Sequence, residues 1–392
     1  MRLPRAVYEV TSAWMTRSLM LLLALATFSA RASADEPKDC GSPVALNDGW
    51  SLASQAEAGL DAAKLCGLDT FLQRWPDPGI HAVVVVRNGK LAMERYFAGD
   101  DSRWGEKLGT VRFGPEVKHD LKSISKSATS LLVGIALGEG KFPALDSPVF
   151  DAFPEDGDLR TPEKSRLTFR HLLTMSSGLA WEEDVPYADP RNDERAMLEA
   201  RDPFRYILSR PMASLPGSTY HYSGGVTSLL GETLVRSTGR SLADYAREKL
   251  FLPIEAPDFE WLEVGLSHRL GAYGSLRMRP RDAAKLGRLL LGDGAWNGKQ
   301  VVPAGWAAQS ITPRLGGDGL FFYGYQWWLG RTFRNGAELP WAAGYGIGGQ
   351  RLFVVPRLDL VVMISSGLYD RPLQFSLPNR IFTEVVLPAV KD

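Results

Sequence analysis

Patterns typical of β-strands lie near the two ends of this chain, whereas the middle reads as helices and long loops. A valine-rich run at 81–86 and an apolar run at 91–97 flank Asn88-Gly89, which predicts a β-hairpin. An uninterrupted valine run is typical of a strand buried on both faces. A second hairpin is predicted over 350–365. Strands from both ends can share one sheet, so the sequence predicts an α+β fold with an antiparallel sheet built from both termini and flanked by helices.

The same distribution predicts two domains. Residues 45–118 and 276–392 would form the sheet domain, and residues 119–275 a mainly helical domain inserted into it. An active site would lie where the two parts meet. Residues 98–118 are interpreted as a loop. Other predicted elements that matter below are a helix at 170–179, a strand at 325–329 and a closing helix at 378–387.

Ser123 and Lys126 open a helical run of small and apolar residues that continues to Leu137. Residues three apart share a helix face, so these two side chains would meet while Ser125 points elsewhere. A serine hydroxyl becomes a nucleophile when a base takes its proton, and a desolvated lysine with a lowered pKa can be that base. About one Ser-x-x-Lys match is expected by chance, and capping serines beside a snorkelling lysine would give the same pattern.

A second candidate segment follows Gly217, where Tyr220 and Tyr222 fall on the same side of an extended stretch. One of these two tyrosines could pack against the protein while the other reaches an active site. A phenol beside a lysine cation can have a depressed pKa and would then carry a proton between the serine and a leaving group. The alternative is a pair of ordinary half-buried tyrosines.

A third segment, residues 344–350, is rich in glycine and opens a late strand. Glycines let a substrate approach the backbone closely. Backbone N–H groups at such an edge can form half of an oxyanion hole, with the N–H of the nucleophile as the other half. The alternative is a glycine-rich turn between two strands.

Taken together, the three motifs and their order resemble those of penicillin-recognising serine hydrolases. The chain is similar to the β-lactamase-related branch that includes class C β-lactamases, serine esterases and 6-aminohexanoate-dimer hydrolase. The resemblance covers residues 58–390. It includes the supporting segments 171–179, 230–231, 279–287, 325–328 and 348–350.

The resemblance implies a β-lactamase-like fold and a role for each matching residue. Ser123 would be the acylated nucleophile, Lys126 would assist its deprotonation, and Tyr222 would be the acid/base. The backbone N–H groups of Ser123 and Ile347 would form the oxyanion hole, although the residue after Gly346 that faces the oxyanion depends on the alignment. The substrate contacts implied in the same way are Tyr187, Gly346 and Gly348. Tyr187 lies in a loop that resembles the substrate-facing loop of the 6-aminohexanoate-dimer hydrolase; the alternative is a surface aromatic residue.

Two positions depart from the class C pattern. The segment Tyr222-Ser223-Gly224 has no amide at its third place, and Gly344-Tyr345-Gly346 has no cation. Loss of a fixed cation weakens the recognition of a substrate carboxylate. These departures favour an ester or amide hydrolase that acts through an acyl-enzyme. A true β-lactamase or DD-peptidase is one alternative, and a non-catalytic protein that binds cell-wall fragments or a protein partner is another.

Composition limits the partners and cofactors. The chain has 45 basic and 45 acidic residues and no basic run, which argues against nucleic-acid binding. Its five histidines include no His-Glu-x-x-His and no paired-ligand spacing, so neither a metal site nor another cofactor is predicted. The expected partner is a small ester or amide substrate. The sequence does not define an oligomeric state.

The N-terminus resembles an export signal. Arg17 precedes an apolar run at 19–28, and Ala32-Ser33-Ala34 is a small-x-small site. Residues 1–34 are therefore predicted to be a signal peptide cleaved after Ala34, which gives a periplasmic or secreted product. The apolar run is short for a bilayer, so no stable membrane span is expected. Export favours a disulfide between Cys40 and Cys66, the alternative being two free thiols.

Overall fold

Strands from both ends of the chain form the main sheet in a computed structural model, which describes residues 40–391. The strands are β1 (Ser51–Leu52), β2 (Ile80–Arg87), β3 (Lys90–Tyr96), β4 (Ala98–Arg103), β5 (Glu106–Arg112), β6 (His119–Asp120), β7 (Phe259–Trp261), β8 (Leu276–Met278), β9 (Ala295–Trp296), β10 (Lys299–Gln300), β11 (Leu315–Gly316), β12 (Phe322–Tyr323), β13 (Trp328–Arg334), β14 (Ala337–Gly346), β15 (Gln350–Val355) and β16 (Leu360–Ser366). The nine strands of the main sheet follow the order β1-β3-β2-β16-β15-β14-β13-β12-β11. All pairs in it are antiparallel except β1 with β3.

Helices cover both faces of this sheet. They are α1 (Ala62–Leu72), α2 (Ile124–Gly138), α3 (Phe169–Leu173), α4 (Asp193–Glu199), α5 (Pro203–Ser209), α6 (Gly224–Thr238), α7 (Leu242–Ala246), α8 (Pro280–Leu291), α9 (Trp306–Ser310), α10 (Leu377–Arg380) and α11 (Leu387–Ala389). Short 3₁₀ and π turns connect several of them, and a π turn at Ile381–Val386 joins α10 to α11. The predicted α+β architecture is confirmed, while the domain boundaries at 118 and 275 stay a prediction.

The valine run of β2 explains how one strand serves two cores. Val84 and Val86 pack into the core that contains α2, α3, α6 and α8. Val83 and Val85 pack into the opposite core, against α1 and the C-terminal helices. Because side chains alternate between the faces of a strand, a strand covered on both sides needs apolar residues at every position. The prediction of a doubly buried strand from this run is therefore confirmed.

Three predicted elements differ in the structure. Of the predicted loop 98–118, only residues 113–118 lie outside regular structure, because β4 and β5 make a hairpin whose turn, Trp104-Gly105, has positive φ at both residues. The predicted helix 170–179 ends at Leu173, since Met175 is left-handed at φ 54°. The strand predicted at 325–329 begins only at Trp328, because the residues before it form a buried turn. In each case local backbone conformation, rather than hydrophobic pattern, decides the outcome.

The N-terminal segment of the described residues is fixed by a disulfide and by buried charges. Cys40 and Cys66 form the predicted disulfide, with Cα atoms 5.0 Å apart. The predicted signal peptide, residues 1–34, lies outside the described residues. None of the helices within 40–391 is long and apolar enough to cross a membrane.

Helix α8 carries a buried ion network that connects it to this segment. Arg281 contacts Asp48 at 2.7 Å and Glu94 at 3.3 Å. Lys285 contacts Asp282 at 2.9 Å and donates to the carbonyl of Asp48 at 2.7 Å. All five side chains are buried. Such a network is stable only when each charge keeps its partner.

We expect Arg281→Met to lower the free energy of unfolding by about 3–5 kcal/mol, because two buried carboxylates would lose their guanidinium. Urea denaturation followed by circular dichroism measures this. Arg288→Met is the control, since Arg288 lies on the same helix but is part-exposed and 3.8 Å from Asp359; its expected cost is below about 1 kcal/mol. Equal losses in the two variants would contradict the importance of the buried network.

Candidate active site

The backbone before α2 holds Ser123 in a fixed position. The N–H of Leu121 donates to the carbonyl of Leu276 at 2.9 Å, which continues the pairing of β6 with β8. Lys122 follows with a left-handed φ of 50°, an uncommon conformation for a residue with a side chain. Ser125 donates to the carbonyl of Lys122 at 2.6 Å and accepts from the N–H of Leu276 at 3.1 Å. These bonds lock the turn that presents Ser123.

Ser123 occupies the N-cap position of α2, but its side chain makes no capping hydrogen bond. Its hydroxyl instead accepts from Nζ of Lys126 at 2.9 Å. Lys126 is 1% exposed, and its Nζ also donates to the carbonyl of Tyr273 at 3.0 Å. The structure thus brings the two residues together as the helical spacing predicts, in place of the capping arrangement.

Tyr222 completes the group. Its hydroxyl interacts with the side chains of Ser123 and Lys126, which both favour a lower pKa of the phenol, and Nζ of Lys126 lies 4.9 Å from the centre of its ring. The extended segment is held by the N–H of His221, which donates to the carbonyl of Met175 at 2.7 Å. Tyr220 packs against Tyr323 instead, with ring centres 5.3 Å apart. Of the two tyrosines, Tyr222 therefore reaches the site.

The protonation states differ from the sequence-based expectation. Burial lowers the pKa of Lys126, but its interactions with Tyr222, Glu183 and Glu194 raise it by more, so this pKa lies above its ordinary value. Burial also raises the pKa of Tyr222, and the positive charge of Lys126 opposes this only in part. The predicted lowering of both pKa values was wrong. At neutral pH the pair rests as an ammonium ion and a neutral phenol.

Besides Tyr222, two carboxylates missed by the sequence analysis contribute to the difference at Lys126. Glu183 accepts hydrogen bonds from the indole N–H of Trp181 at 2.6 Å and from the N–H of Gly224 at 2.7 Å. A Cβ atom on Gly224 would lie 3.3 Å from a Glu183 oxygen and 3.5 Å from a Glu194 oxygen. Gly224 is the third residue of Tyr-x-Gly, so both carboxylates converge where the class C pattern has an amide.

Burial and the charge of Glu183 raise the pKa of Glu194 to about 7, and the charge of Lys126 opposes them. Two carboxyl groups that face each other at a partly buried site rarely both ionise at neutral pH. One signal for the pair was present in the sequence: the missing side chain at Gly224 leaves a space that another group must fill. The identity of that group could not be read from the spacing.

Strand β14 approaches the start of α2 through its glycines. A Cβ atom on Gly346 would lie 2.5 Å from the carbonyl oxygen of Leu121, and one on Gly344 would lie 3.2 Å from Oγ of Ser127. No larger residue fits such a distance without moving the strand. Ile347 follows at the end of the strand and is 58% exposed. The glycine-rich segment therefore runs beside the turn that carries Ser123.

The other predicted substrate contacts are placed differently. Gly348 donates its N–H to Gln374 at 2.7 Å, and its carbonyl accepts from Ser366 at 2.7 Å, so its polar groups are used within the protein. Tyr187 is 51% exposed on its loop, and the nearby charge of Glu194 contributes to raising its pKa after burial. Tyr187 thus lies near the carboxylate pair, whereas Gly348 belongs to a buried turn.

Aromatic side chains border the group on the side of the sheet. Trp328 stacks on Tyr222 with ring centres 5.7 Å apart and on Tyr345 at 5.9 Å. Phe321 contacts Trp328 edge-on at 6.0 Å. Such a surface provides apolar contact area for the uncharged part of a substrate.

Comparisons with known proteins agree with this geometry. A family model described as Beta-lactamase matches residues 71–375. A 6-aminohexanoate-dimer hydrolase from Paenarthrobacter ureafaciens is 25% identical over 380 residues, which cover 86% of this chain and 90% of that enzyme. A D-aminopeptidase from Brucella ovis is 28% identical over 185 residues, which are 46% of this chain and 32% of that enzyme. A solved structure from Bacillus anthracis, assigned as a 6-aminohexanoate-dimer hydrolase, is 22% identical, covers 86% of both chains and has a TM-score of 0.66.

We expect Gly346→Ala to separate β14 from the start of α2, because its methyl group would overlap the carbonyl of Leu121. The expected effects are a loss of about 1–3 kcal/mol in stability and a fall in hydrolytic rate of at least about tenfold, since small displacements of reacting groups are costly. Thermal unfolding and ester hydrolysis measure the two effects. Gly316→Ala on β11 is the control, because nothing lies within 4 Å of its added Cβ; a similar rate loss there would argue against a specific contact.

Proposed function

Because the chain belongs to the beta-lactamase family and is a serine hydrolase, we propose that Ser123 cleaves an amide or ester bond through an acyl-enzyme. The observation that carries this is the contact of Nζ of Lys126 with the Ser123 hydroxyl at 2.9 Å, beside the hydroxyl of Tyr222. A nucleophile, a titratable partner and a second proton carrier within hydrogen-bond reach are the parts that acyl transfer requires.

In the reactive form, the Lys126–Tyr222 pair has lost one proton and can accept another. Ser123 Oγ attacks the substrate carbonyl as its proton passes to the pair. Tyr222 then delivers a proton to the leaving amine or alkoxide, and the carbon–nitrogen or carbon–oxygen bond breaks. In the second half, the pair takes a proton from water as its oxygen attacks the acyl carbon, and Ser123 recovers a proton when it leaves. The N–H groups of Ser123 and Ile347 hold the developing oxyanion.

The charges around the group favour one class of substrate. The glycine-rich strand offers no cation at its matching position, which disfavours the carboxylate of a β-lactam. Glu183 and Glu194 supply negative charge on the other side, next to Lys126. A substrate with an ammonium group near its scissile amide complements these carboxylates. The names of the Paenarthrobacter and Brucella relatives, an aminohexanoate-dimer hydrolase and an aminopeptidase, support amide substrates that carry an amine.

Export forms part of the same proposal. The disulfide between Cys40 and Cys66 supports maturation in an oxidising compartment. A periplasmic or secreted hydrolase would encounter extracellular amides directly.

Ser123→Ala should abolish labelling by a fluorophosphonate and lower ester and amide turnover by about 10⁴-fold or more, since loss of the nucleophile removes the acyl-enzyme route. Active-site labelling followed by mass spectrometry and steady-state kinetics test this. Ser130→Ala is a matched control on the same helix, because the Ser130 hydroxyl is buried without a hydrogen-bond partner among the described residues. A Ser123→Ala variant that hydrolyses esters at the parent rate would refute the mechanism.

The pH dependence of kcat/KM distinguishes the role of the Glu183–Glu194 pair from that of Ser123. Glu194 has a raised pKa of about 7, so it ionises as the pH passes through 7. For an amide with a free amine, kcat/KM should therefore rise between about pH 6 and 8 by more than it does for a neutral ester. Glu194→Gln should remove that extra rise, and Glu199→Gln, exposed at the end of the same helix, should retain it.

Stability gives an independent readout of the same group. Since the pKa of Glu194 is higher in the folded than in the unfolded state, the folded protein binds the proton more tightly, and stability falls as pH rises towards and through 7. Glu194→Gln should lessen this fall.

Nitrocefin turnover faster than hydrolysis of any amine-bearing amide would overturn the substrate class while leaving the role of Ser123 intact.

A further inference from the structure

Two histidines and an aspartate from three strands meet in the protein interior, outside the group around Ser123. His81 lies on β2, Asp101 on β4 and His119 on β6. All three are buried, and their ligand atoms lie within 4.8 Å of one another. The residues are brought together by tertiary structure, since His81 and His119 are 38 positions apart.

Two of the three distances between ligand atoms are close to those around a small metal ion. Nδ1 of His81 lies 2.9 Å from Nε2 of His119, which lies 3.4 Å from Oδ1 of Asp101. Nitrogen and oxygen ligands at about 2.0–2.1 Å from a tetrahedral Zn²⁺ are about 3.3 Å apart, so a small movement would accommodate the ion. The ring nitrogen Nδ1 of His119 lies 3.0 Å from the carbonyl of Asp120. When it donates to that carbonyl, Nε2 presents its lone pair to the cluster, as is usual for metal-binding histidines.

The carboxylate of Asp101 faces the cluster without a close donor from the described part of the chain. Both carboxylate oxygens of Asp101 are buried without a hydrogen-bond partner among the described residues. Arg277 is the nearest cation, but it is 4.0 Å from Asp101 and contacts Asp120 at 2.7 Å. A buried carboxylate without a close donor is costly unless a cation compensates it.

The surroundings of the cluster include an aromatic side chain. Phe113 covers the cluster, its ring stacked on His81 at 4.3 Å. Neutral imidazole and carboxylate are the ligand types that suit Zn²⁺ and similar divalent transition metals.

We propose that His81, Asp101 and His119 bind a divalent transition-metal ion of the zinc class. The ion joins β2, β4 and β6, and β6 leads within four residues to Ser123. Its role is structural: it stabilises the strands that position the turn before α2 and takes no part in acyl transfer. This inference is independent of the proposed function.

The test uses the full chain, stripped of metal with a chelator and titrated with Co²⁺. One Co²⁺ per chain should bind and produce the visible absorption of a low-coordinate cobalt site with nitrogen and oxygen ligands. Zn²⁺ should displace it and raise the thermal unfolding temperature of the stripped protein. Asp101→Asn, which preserves the shape of the side chain, should weaken Co²⁺ binding by at least tenfold and remove the thermal shift.

His268→Gln serves as the matched control, because His268 is exposed and is not a member of the cluster. It should bind Co²⁺ like the parent. The proposal is overturned if the stripped parent acquires no cobalt absorption and no thermal shift with Zn²⁺. It is also overturned if Asp101→Asn binds as tightly as the parent, or if His268→Gln loses binding. If Asp101→Asn does not fold, His81→Gln carries the same comparison, and the titration of the parent protein stands without either variant.

Discussion

A buried ammonium group determines the arrangement of the candidate active site. Nζ of Lys126 is almost fully removed from solvent, so its charge must be balanced by neighbours within the protein. The hydroxyl of Ser123 and the carbonyl of Tyr273 accept its hydrogen bonds, and Tyr222 lies against it. Glu183 and, once the pH rises through about 7, Glu194 supply negative charge. Each of these groups comes from a different segment, so the position of Lys126 depends on the fold as a whole.

The parts that could be predicted from sequence are those that depend on local spacing or repeated pattern. The valine run of β2, the Asn88-Gly89 turn and the three-residue separation of Ser123 and Lys126 each specify a geometry within a few residues. The order of the motifs then indicated the family, which the match over residues 71–375 establishes. By contrast, the β4–β5 hairpin is polar and largely exposed, so it has no apolar alternation to reveal it.

The parts that could not be predicted depend on residues that meet only in three dimensions. A lowered pKa for Lys126 is the correct expectation for burial alone. Tyr222 and two glutamates, 57 and 68 positions later in the chain than Lys126, converge on the same point and raise this pKa instead. The cluster of His81, Asp101 and His119 has the same origin. A search for His-Glu-x-x-His or for closely spaced ligand pairs detects only ligands that lie on one segment. The three residues of this cluster lie on separate strands. The expectation of no metal rested on that limited search.

The segments Tyr222-Ser223-Gly224 and Gly344-Tyr345-Gly346 both depart from the class C pattern. Together, the two departures change the charge around Ser123 in one direction. Gly224 stands where the class C pattern has an amide side chain. Glu183 and Glu194 border the space that this missing side chain leaves. The segment that contains Gly344 and Gly346 has no cation where the class C pattern has one. Because these glycines lack side chains, β14 can approach Leu121 and Ser127, on either side of Ser123. The first change adds negative charge beside the nucleophile, and the second removes positive charge opposite it. Under the proposed function, a carboxylate-bearing substrate would lose its anchor and meet repulsion, while an ammonium-bearing substrate would gain a partner. The same nucleophile, lysine and tyrosine can thus serve a different substrate class without any change in the order of proton transfers.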